Sequence, residues 1–226
     1  TFDTLYKKCE KDKNINKTTV SARELFMAIL KERAETGRIY IMNIDHVNEH
    51  SSFTDKVYMS NLCQEITLPT KPIQHIDDPN GEIALCILSA INVGKLSSLE
   101  ELEELCDLAV RSLDEIIDYQ DYPVKAAEKS TKARRSLGIG YIGLAHYLAK
   151  NKVKYDDPKA WQLVNELTEA FQYNLLKSSM ELAKEKGACE AFNQTKYAKG
   201  ILPIDTYKKE IDEFLSPELN YDWNSL

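Results

Sequence analysis

The sequence lacks an excess of positive charge and a membrane-length apolar run. Lysine and arginine total 29 against 36 aspartate and glutamate, which leaves a net charge of −7. Binding to the phosphate backbone of a nucleic acid requires a basic face, so the charge balance argues against a nucleic-acid partner. No apolar run approaches the roughly 20 residues that a helix needs to cross a bilayer, so we expect no membrane partner.

The sequence also has few cysteines, and they are odd in number and widely spaced. They are Cys9, Cys63, Cys86, Cys106 and Cys189. A secreted disulfide framework usually has an even, dense set, and no pair here has the C-x-x-C spacing of a zinc or thioredoxin site. The opening residues lack the charged-then-apolar pattern of a secretory leader. We therefore expect a reducing, cytoplasmic compartment and no metal site in this chain.

Apolar periodicity predicts a mixed α/β fold that is rich in helices. Helices are predicted at about 21–37, 99–117, 158–187 and 205–214. The first two begin at capping boxes, formed by Ser21 with Glu24 and by Ser98 with Glu101. Pro158 is a good first-turn residue for the third helix, and Asp205 is expected to cap the fourth.

Strands are predicted in fewer places. Residues 39–44 are β-rich and short, and residues 83–93 are almost continuously apolar. The second run fits a strand buried on both faces, as in a barrel interior. We expect a polar loop at 46–58, and a loop followed by a brief strand at 62–68.

The segment Asn61-Leu62-Cys63-Gln64-Glu65 is the first candidate site. In extended backbone, residues two apart project to the same side, so Asn61, Cys63 and Glu65 can converge on one small ligand. The alternative is a buried cysteine in a strand edge with two exposed polar neighbours. Cys86 lies in the apolar run, and by itself it is more typical of a packing residue, because free cysteine is often buried.

Two further motifs are weaker. Residues 138–143 read GIGYIG and match the dinucleotide-binding fingerprint G-x-G-x-x-G. That fingerprint should follow a hydrophobic strand, but polar residues precede it, so we predict a tight turn leading into a helix at 144–148. His46 and His50 stand four apart, as a helical metal pair would, but they fall in the predicted polar loop and are expected to face solvent.

Short motifs along nearly the whole chain carry a family resemblance. They are TGRIY at 36–40, NIDH at 43–46, SNLCQEI at 60–66, LPTKP at 68–72, GEIALC at 81–86, DYQDYP at 118–123, RRSLGIG at 134–140, AKGILP at 198–203 and YDW at 221–223. In these motifs the chain resembles the central portion of the large, catalytic subunit of aerobic, class I ribonucleotide reductase of the bacterial or bacteriophage type.

The resemblance implies a fold and roles for four residues. The family fold is a ten-stranded α/β barrel with an interior finger loop, so residues 1–226 are expected to be one fragment of it. The finger loop is expected at about 53–68, a barrel strand at about 82–93 and helices over 98–226. Cys63 matches the cysteine that carries the thiyl radical, Glu65 the general base, and Asn61 the substrate-binding asparagine. Cys86 matches one member of the redox-active cysteine pair.

The same resemblance implies partners and missing parts. A radical-generating β subunit is expected to carry a metal–radical cofactor. Thioredoxin or glutaredoxin is expected to act as the reductant. The expected substrate is a ribonucleoside diphosphate. The second reducing cysteine and the allosteric nucleotide sites lie upstream in the family. The phosphate-binding loop, the radical-relay tyrosines and the shuttle cysteines lie downstream. The isolated chain is therefore expected to be inactive without the remaining segments of the subunit.

Two other functions remain open from the residues alone. A dinucleotide-binding oxidoreductase built on 138–143 requires a strand just before Gly138. A non-catalytic helical interaction module predicts that Cys63 and Cys86 lie far apart or are separately buried. Close approach of Cys63, Glu65 and Cys86 around a cavity would argue against both.

Overall fold

Helices make up most of the fold in the computed structural model, which describes residues 2–206 and 219–226. The chain divides into two compact units, one up to Met42 and one from Asn43 onwards. The first unit contains helix α1 (Phe2–Lys11) and helix α2 (Ala22–Thr36). Ser21 accepts a hydrogen bond from the Glu24 amide, and Gly37 ends α2 with a φ of 65°. The predicted first helix and its limits are confirmed.

The predicted strand at 39–44 is wrong, and the loop predicted at 46–58 is confirmed only from residue 51 onwards. Residues 38–43 are irregular, and helix α3 occupies Ile44–His50. An isolated β-rich segment needs a neighbouring strand to satisfy its backbone, and the described residues offer it none. His46 and His50 are both exposed on α3, so their solvent-facing position is confirmed although their loop is not.

Two parallel strands form the sheet. Strand β1 (Ile87–Asn92) lies within the predicted apolar strand, and strand β2 (Leu137–Ile142) pairs with it in the register Leu88 to Gly138. The predicted tight turn at 138–143 is wrong, because the glycines to Gly140 lie inside β2. The predicted helix after it is confirmed as α6 (Leu144–Lys150), and Gly143 precedes it with a φ of 81°. The brief strand predicted within 62–68 is not observed.

Three longer helices complete the second unit. They are α4 (Glu101–Tyr119), α5 (Lys125–Arg134) and α7 (Pro158–Lys186). Asp157 caps α7 by accepting a hydrogen bond from the Lys159 amide, as the Pro158 signal suggested. The capping box of α4 was predicted to join Ser98 and Glu101. In the structure the Glu101 carboxylate accepts a hydrogen bond from the Ser97 amide at 3.0 Å instead. Asp205 lies in a 3₁₀ turn (Pro203–Thr206), and the predicted helix beyond it lies outside the described residues.

One face of the sheet packs against α4 and, through the ring of Phe171, against α7. The core lies between the sheet and these two helices. The core cluster consists of Ile91, Val93, Leu96, Leu102, Cys106, Leu167, Ala170 and Phe171. Each large apolar side chain buried there contributes about 1.5–3 kcal/mol. The opposite face of the sheet is open, since Leu88 and Ile142 are both more than half exposed. The prediction of a strand buried on both faces is therefore wrong for this chain.

The helix-rich α/β class is confirmed, and the sheet is open. Among the described residues it has two strands, and β2 lies in the 98–226 region that was expected to be helical. Edge strands with free backbone groups are sites at which further strands pair. No described helix is both long enough and apolar enough to cross a membrane.

Candidate active site

The segment that carries Cys63 is a compact turn. The Gln64 amide donates to the Asn61 carbonyl at 3.2 Å, and Gln64 has a positive φ of 63°. The Asn61 side-chain oxygen accepts from the Ile66 amide at 3.1 Å, and the Ser60 hydroxyl donates to the Ile66 carbonyl at 2.7 Å. These bonds join the two ends of residues 60–66, and Cys63 stands at the tip with its side chain exposed.

The extended backbone that was predicted here is therefore wrong, since a turn does not place alternate residues on one side. The turn nonetheless leaves the side chains of Cys63 and Glu65 exposed. The Asn61 oxygen is engaged within the loop, and no described residue hydrogen-bonds to its amide nitrogen. An amide nitrogen has two donor hydrogens, so Asn61 can hold the loop and still donate to a ligand oxygen.

Cys86 lies just before β1 and is half-buried. Burial raises the pKa of its thiol, and the nearby negative charge of Glu65 raises this pKa further. Two of the predicted site residues, one on the loop and one at the start of the strand, are therefore close enough to interact electrostatically. Both effects favour the neutral thiol over the thiolate.

Both ends of the loop that carries Cys63 contact an ion-pair cluster whose centre, Arg134 with Glu82, is buried. Its guanidinium lies 2.6 Å from the Glu82 carboxylate and 3.5 Å from that of Asp55. Glu82 also contacts the Lys71 ammonium at 2.6 Å, and the two residues form a backbone bridge. Asp55 precedes the loop and Lys71 follows it, so one arginine connects both of its ends.

The electrostatics of this cluster favour ionised groups. Burial would raise the pKa of Glu82, but hydrogen bonds and charges from Lys71 and Arg134 outweigh it and hold this pKa below its usual value. The Arg134 side chain also lies over the Phe53 ring, with 5.8 Å to the ring centroid. Sequence analysis missed this cluster because its members are separated by up to 79 positions, from Asp55 to Arg134, and no local pattern connects them.

Two other cysteines of the second unit are at least partly withdrawn from solvent. Cys106 is buried in the core, where desolvation raises its pKa to about 12. Cys189 is half-buried, and desolvation also raises its pKa. Within residues 2–206 and 219–226, no group of three or more histidine, cysteine or acidic side chains is placed to hold a metal ion.

The geometry argues against the dinucleotide-binding function. In a dinucleotide site the first glycine of the fingerprint follows the strand and leads into the helix, but here Gly138 and Gly140 are strand residues. For the interaction-module hypothesis, the structure places Glu65, on the loop that carries Cys63, close enough to act on Cys86. The approach of Cys63 itself to Cys86 stays a prediction.

Comparison with known families decides the assignment. The family model described as ribonucleotide reductase, barrel domain, matches residues 1–226. The chain belongs to this family. The resemblance seen in its motifs is thereby confirmed, and the loop with Cys63 and the strand that follows Cys86 are parts of a ribonucleotide reductase barrel domain.

Relatives from bacteria and a bacteriophage align over the whole chain. A ribonucleoside-diphosphate reductase subunit alpha from Haemophilus influenzae is 62% identical, and the ribonucleoside-diphosphate reductase 1 subunit alpha from Escherichia coli is 57% identical. The alpha subunit from Enterobacteria phage T4 is 43% identical. The alignments cover 100% of this chain but only 30% of each relative. The ribonucleotide reductase chain therefore spans less than a third of their length.

Proposed function

We propose that this chain is the part of a class I ribonucleoside-diphosphate reductase catalytic subunit that carries the radical cysteine and one reducing thiol. The single observation that carries the proposal is the match of the ribonucleotide reductase barrel-domain family model over residues 1–226. The proximity of Glu65, two residues from Cys63, to the Cys86 thiol supports the same assignment. In the complete subunit, the free edges of the two-stranded sheet pair with further strands of a ten-stranded barrel. The open face of the sheet then faces other parts of that barrel.

The roles of the loop residues follow from their chemistry. Cys63 carries a thiyl radical, which removes hydrogen from the 3′ carbon of the ribose and later returns it. Glu65 accepts the proton of the 3′-hydroxyl as a positioned general base. Asn61 donates from its amide nitrogen to a ribose hydroxyl while its oxygen holds the loop. The exposed tip of the turn lets these three side chains reach one substrate.

The reducing step needs a second thiol from outside this chain. Cys86 donates a proton to the departing 2′-hydroxyl, which leaves as water. Cys86 and the second cysteine then supply two electrons, and the second of their two protons goes to the 2′ carbon, so the substrate becomes a deoxyribonucleotide and the two thiols become a disulfide. Thioredoxin or glutaredoxin restores the dithiol by thiol–disulfide exchange. The proton that Cys86 gives up comes from its thiol form, which burial stabilises against the thiolate.

Partners and location complete the proposal. A radical-generating β subunit with a metal–radical cofactor supplies the oxidising equivalent for Cys63, and no residue of this chain is assigned to hold that cofactor. Allosteric nucleotides bind segments upstream of this chain, and no nucleic acid or membrane is a partner. A cytoplasmic location agrees with the five unpaired cysteines.

The test is replacement of Cys63 in the complete catalytic subunit. With the β subunit, reductant and a ribonucleoside diphosphate, Cys63→Ser is expected to abolish deoxyribonucleotide formation, because an O–H bond is too strong for the radical step. Substrate binding should stay within a few-fold, since serine is nearly the same shape. Cys9→Ser is the matched control and should retain turnover. Substantial product from Cys63→Ser, or product from this chain without its missing segments, would contradict the proposal.

A further inference from the structure

The open face of the sheet has two glycines beside Cys86. Side chains alternate between the faces of a strand, so Cys86 and Leu88 project to the same face. Leu88 is paired with Gly138 and Ala90 with Gly140, which places both glycines on that face. Glycine weakens a strand interior and often marks a place where another group approaches closely. Each glycine on this face therefore calls for a reason.

Gly138 is required for space and not for backbone conformation. Its φ is not among the positive values of the described chain, so a residue with a side chain could adopt the same backbone. A Cβ atom at Gly138 would lie 2.5 Å from the Cys86 Sγ and 2.5 Å from the Leu88 Cδ2. Real Cβ atoms do not approach other atoms so closely. The sulfur of Cys86 and the Cδ2 atom of Leu88 together occupy the space in which a side chain at Gly138 would lie.

Gly140 has a different environment on the same strand and face. A Cβ atom built there has no neighbour within 4 Å among the described residues. Gly140 also has no positive φ. A methyl group at Gly140 is therefore tolerated within this chain, whereas the same group at Gly138 must move the sulfur. The two glycines form a matched pair for experiment.

We propose that Gly138 is a positioning residue for the reducing thiol, because its missing side chain lets the Cys86 sulfur rest against β2. The inference rests on the proposed function, in which Cys86 reduces the substrate. A Cβ at Gly138 forces Cys86 into another staggered rotamer, which moves its sulfur by roughly 3 Å. A group misplaced by about 1 Å can cost about 100-fold in rate, so the reducing step should be severely slowed.

The experiment compares Gly138→Ala with Gly140→Ala in the complete catalytic subunit. Alkylation of Cys86 by iodoacetamide is followed by peptide mass spectrometry across a range of pH. Leaving the contact with β2 exposes the sulfur, so Gly138→Ala is expected to shift the pH profile of Cys86 alkylation to lower pH, and Gly140→Ala to leave it unchanged. A profile for Gly138→Ala that matches the parent would overturn the proposal, as would equal shifts in both variants.

Turnover provides the second readout. With the β subunit present, Gly138→Ala should lower kcat about 100-fold with little change in KM, while cleavage of the 3′ carbon–hydrogen bond continues. An unchanged kcat would contradict the positioning role. The Cys86→Ser variant tests the proposed function separately from the role of Gly138. If Cys86→Ser still reduces substrate, the proposed function is wrong. The alkylation profiles then still decide whether Gly138 positions the sulfur.

A stability cycle covers the case in which Gly138→Ala folds poorly. The thermal midpoint is measured for Gly138→Ala, Cys86→Ala and the double variant. Alanine at position 86 has no γ atom, so only the contact with the Leu88 Cδ2 remains, and Gly138→Ala should lower the midpoint less in that background. An equal loss in both backgrounds would show that the glycine makes room for Leu88 or serves the strand, and the inference would be wrong.

Discussion

The Arg134 guanidinium and the Glu82 carboxylate lie 2.6 Å apart, and both side chains are buried. Glu82 holds Lys71, and Arg134 also reaches Asp55, so this pair joins both ends of the loop that carries Cys63. A buried ion pair usually makes a protein no more stable than apolar side chains of similar volume at both positions would. Removal of one partner is costly, because the other charge is left buried.

We therefore expect Arg134→Met to destabilise the chain by about 3–5 kcal/mol. Lys132→Met is the matched control on the same helix, since Lys132 forms a half-exposed pair with Glu128 and should cost no more than about 1 kcal/mol. Urea unfolding followed by circular dichroism measures both. Adding Glu82→Gln to Arg134→Met should recover part of the loss. Equal costs for the two single variants would mean that Arg134 is not the centre of the cluster.

Acid should weaken the same cluster. The folded-state pKa of Glu82 is lowered from its usual 4.5, so its stabilising contribution is present above pH 4.5 and is lost as the pH falls below that value through the folded pKa. The free energy of unfolding of the parent chain should therefore fall more steeply below pH 4.5 than that of Glu82→Gln. Parallel pH curves for the two proteins would contradict the ionised state of Glu82.

The interaction between the loop and the strand can be tested through thiol chemistry. The Glu65 charge contributes to the raised pKa of Cys86, so Glu65→Gln should lower that pKa towards its ordinary value. Only the thiolate reacts with iodoacetamide, so Cys86 should be alkylated faster at a fixed pH near 8. Cys189 provides the internal control, because burial raises its pKa and Glu65 is not among the causes. A rate for Cys86 that does not change would place Glu65 too far away to act.

The extent of sequence-based prediction differs between the fold and the site. The capped helix after Ser21 and the helix after Pro158 were predicted because local signals determine their limits. The strand at 39–44 and the turn at 138–143 were wrong because strand formation depends on a distant partner. Residue 138 is a strand residue only because Leu88 lies beside it.

At the site, the motif around Cys63 identified the residues but not their geometry. The turn at Gln64 depends on bonds between Ser60, Asn61 and Ile66, which an alternating pattern does not predict. The resemblance indicated a role for Cys86. Its proximity to Glu65 and its fit against Gly138 depend on the three-dimensional fold, because both residues are distant from Cys86 in the sequence. The roles of Asn61, Cys63, Glu65 and Cys86 remain predictions.

Cys86 and Cys106 should respond differently when each is replaced by serine. In the complete subunit, Cys86→Ser is expected to stop deoxyribonucleotide formation while the attack on the 3′ carbon–hydrogen bond continues. Cys106→Ser is the matched control and should retain turnover, since Cys106 is buried in the core and touches no predicted site residue. Product assays and peptide mapping of the oxidised enzyme check both. A disulfide between Cys63 and Cys86 would mean that their roles are exchanged.

The last prediction concerns the buried carboxylate of Glu169 on α7, which holds the segment at 219–226. It accepts hydrogen bonds from the Asn220 amide at 2.8 Å, the Asn220 side chain at 2.7 Å, the Tyr221 amide at 3.2 Å and the Trp223 indole at 3.2 Å. Tyr221 stacks on Tyr173 of the same helix, with ring centroids 4.6 Å apart. One acceptor group thus satisfies four donors of this segment.

Glu169→Gln replaces one of these acceptor oxygens by a donor nitrogen, which then faces other donors. We expect a loss of about 1–3 kcal/mol in the free energy of unfolding, because buried donors are left unpaired. Exchange of the Trp223 indole hydrogen should also become faster, as followed by nuclear magnetic resonance. Glu166→Gln on the same helix is the control, since Glu166 accepts from the exposed Gln162 side chain and from no other described residue. If the two variants unfold alike, the four hydrogen bonds to Glu169 do not hold the segment.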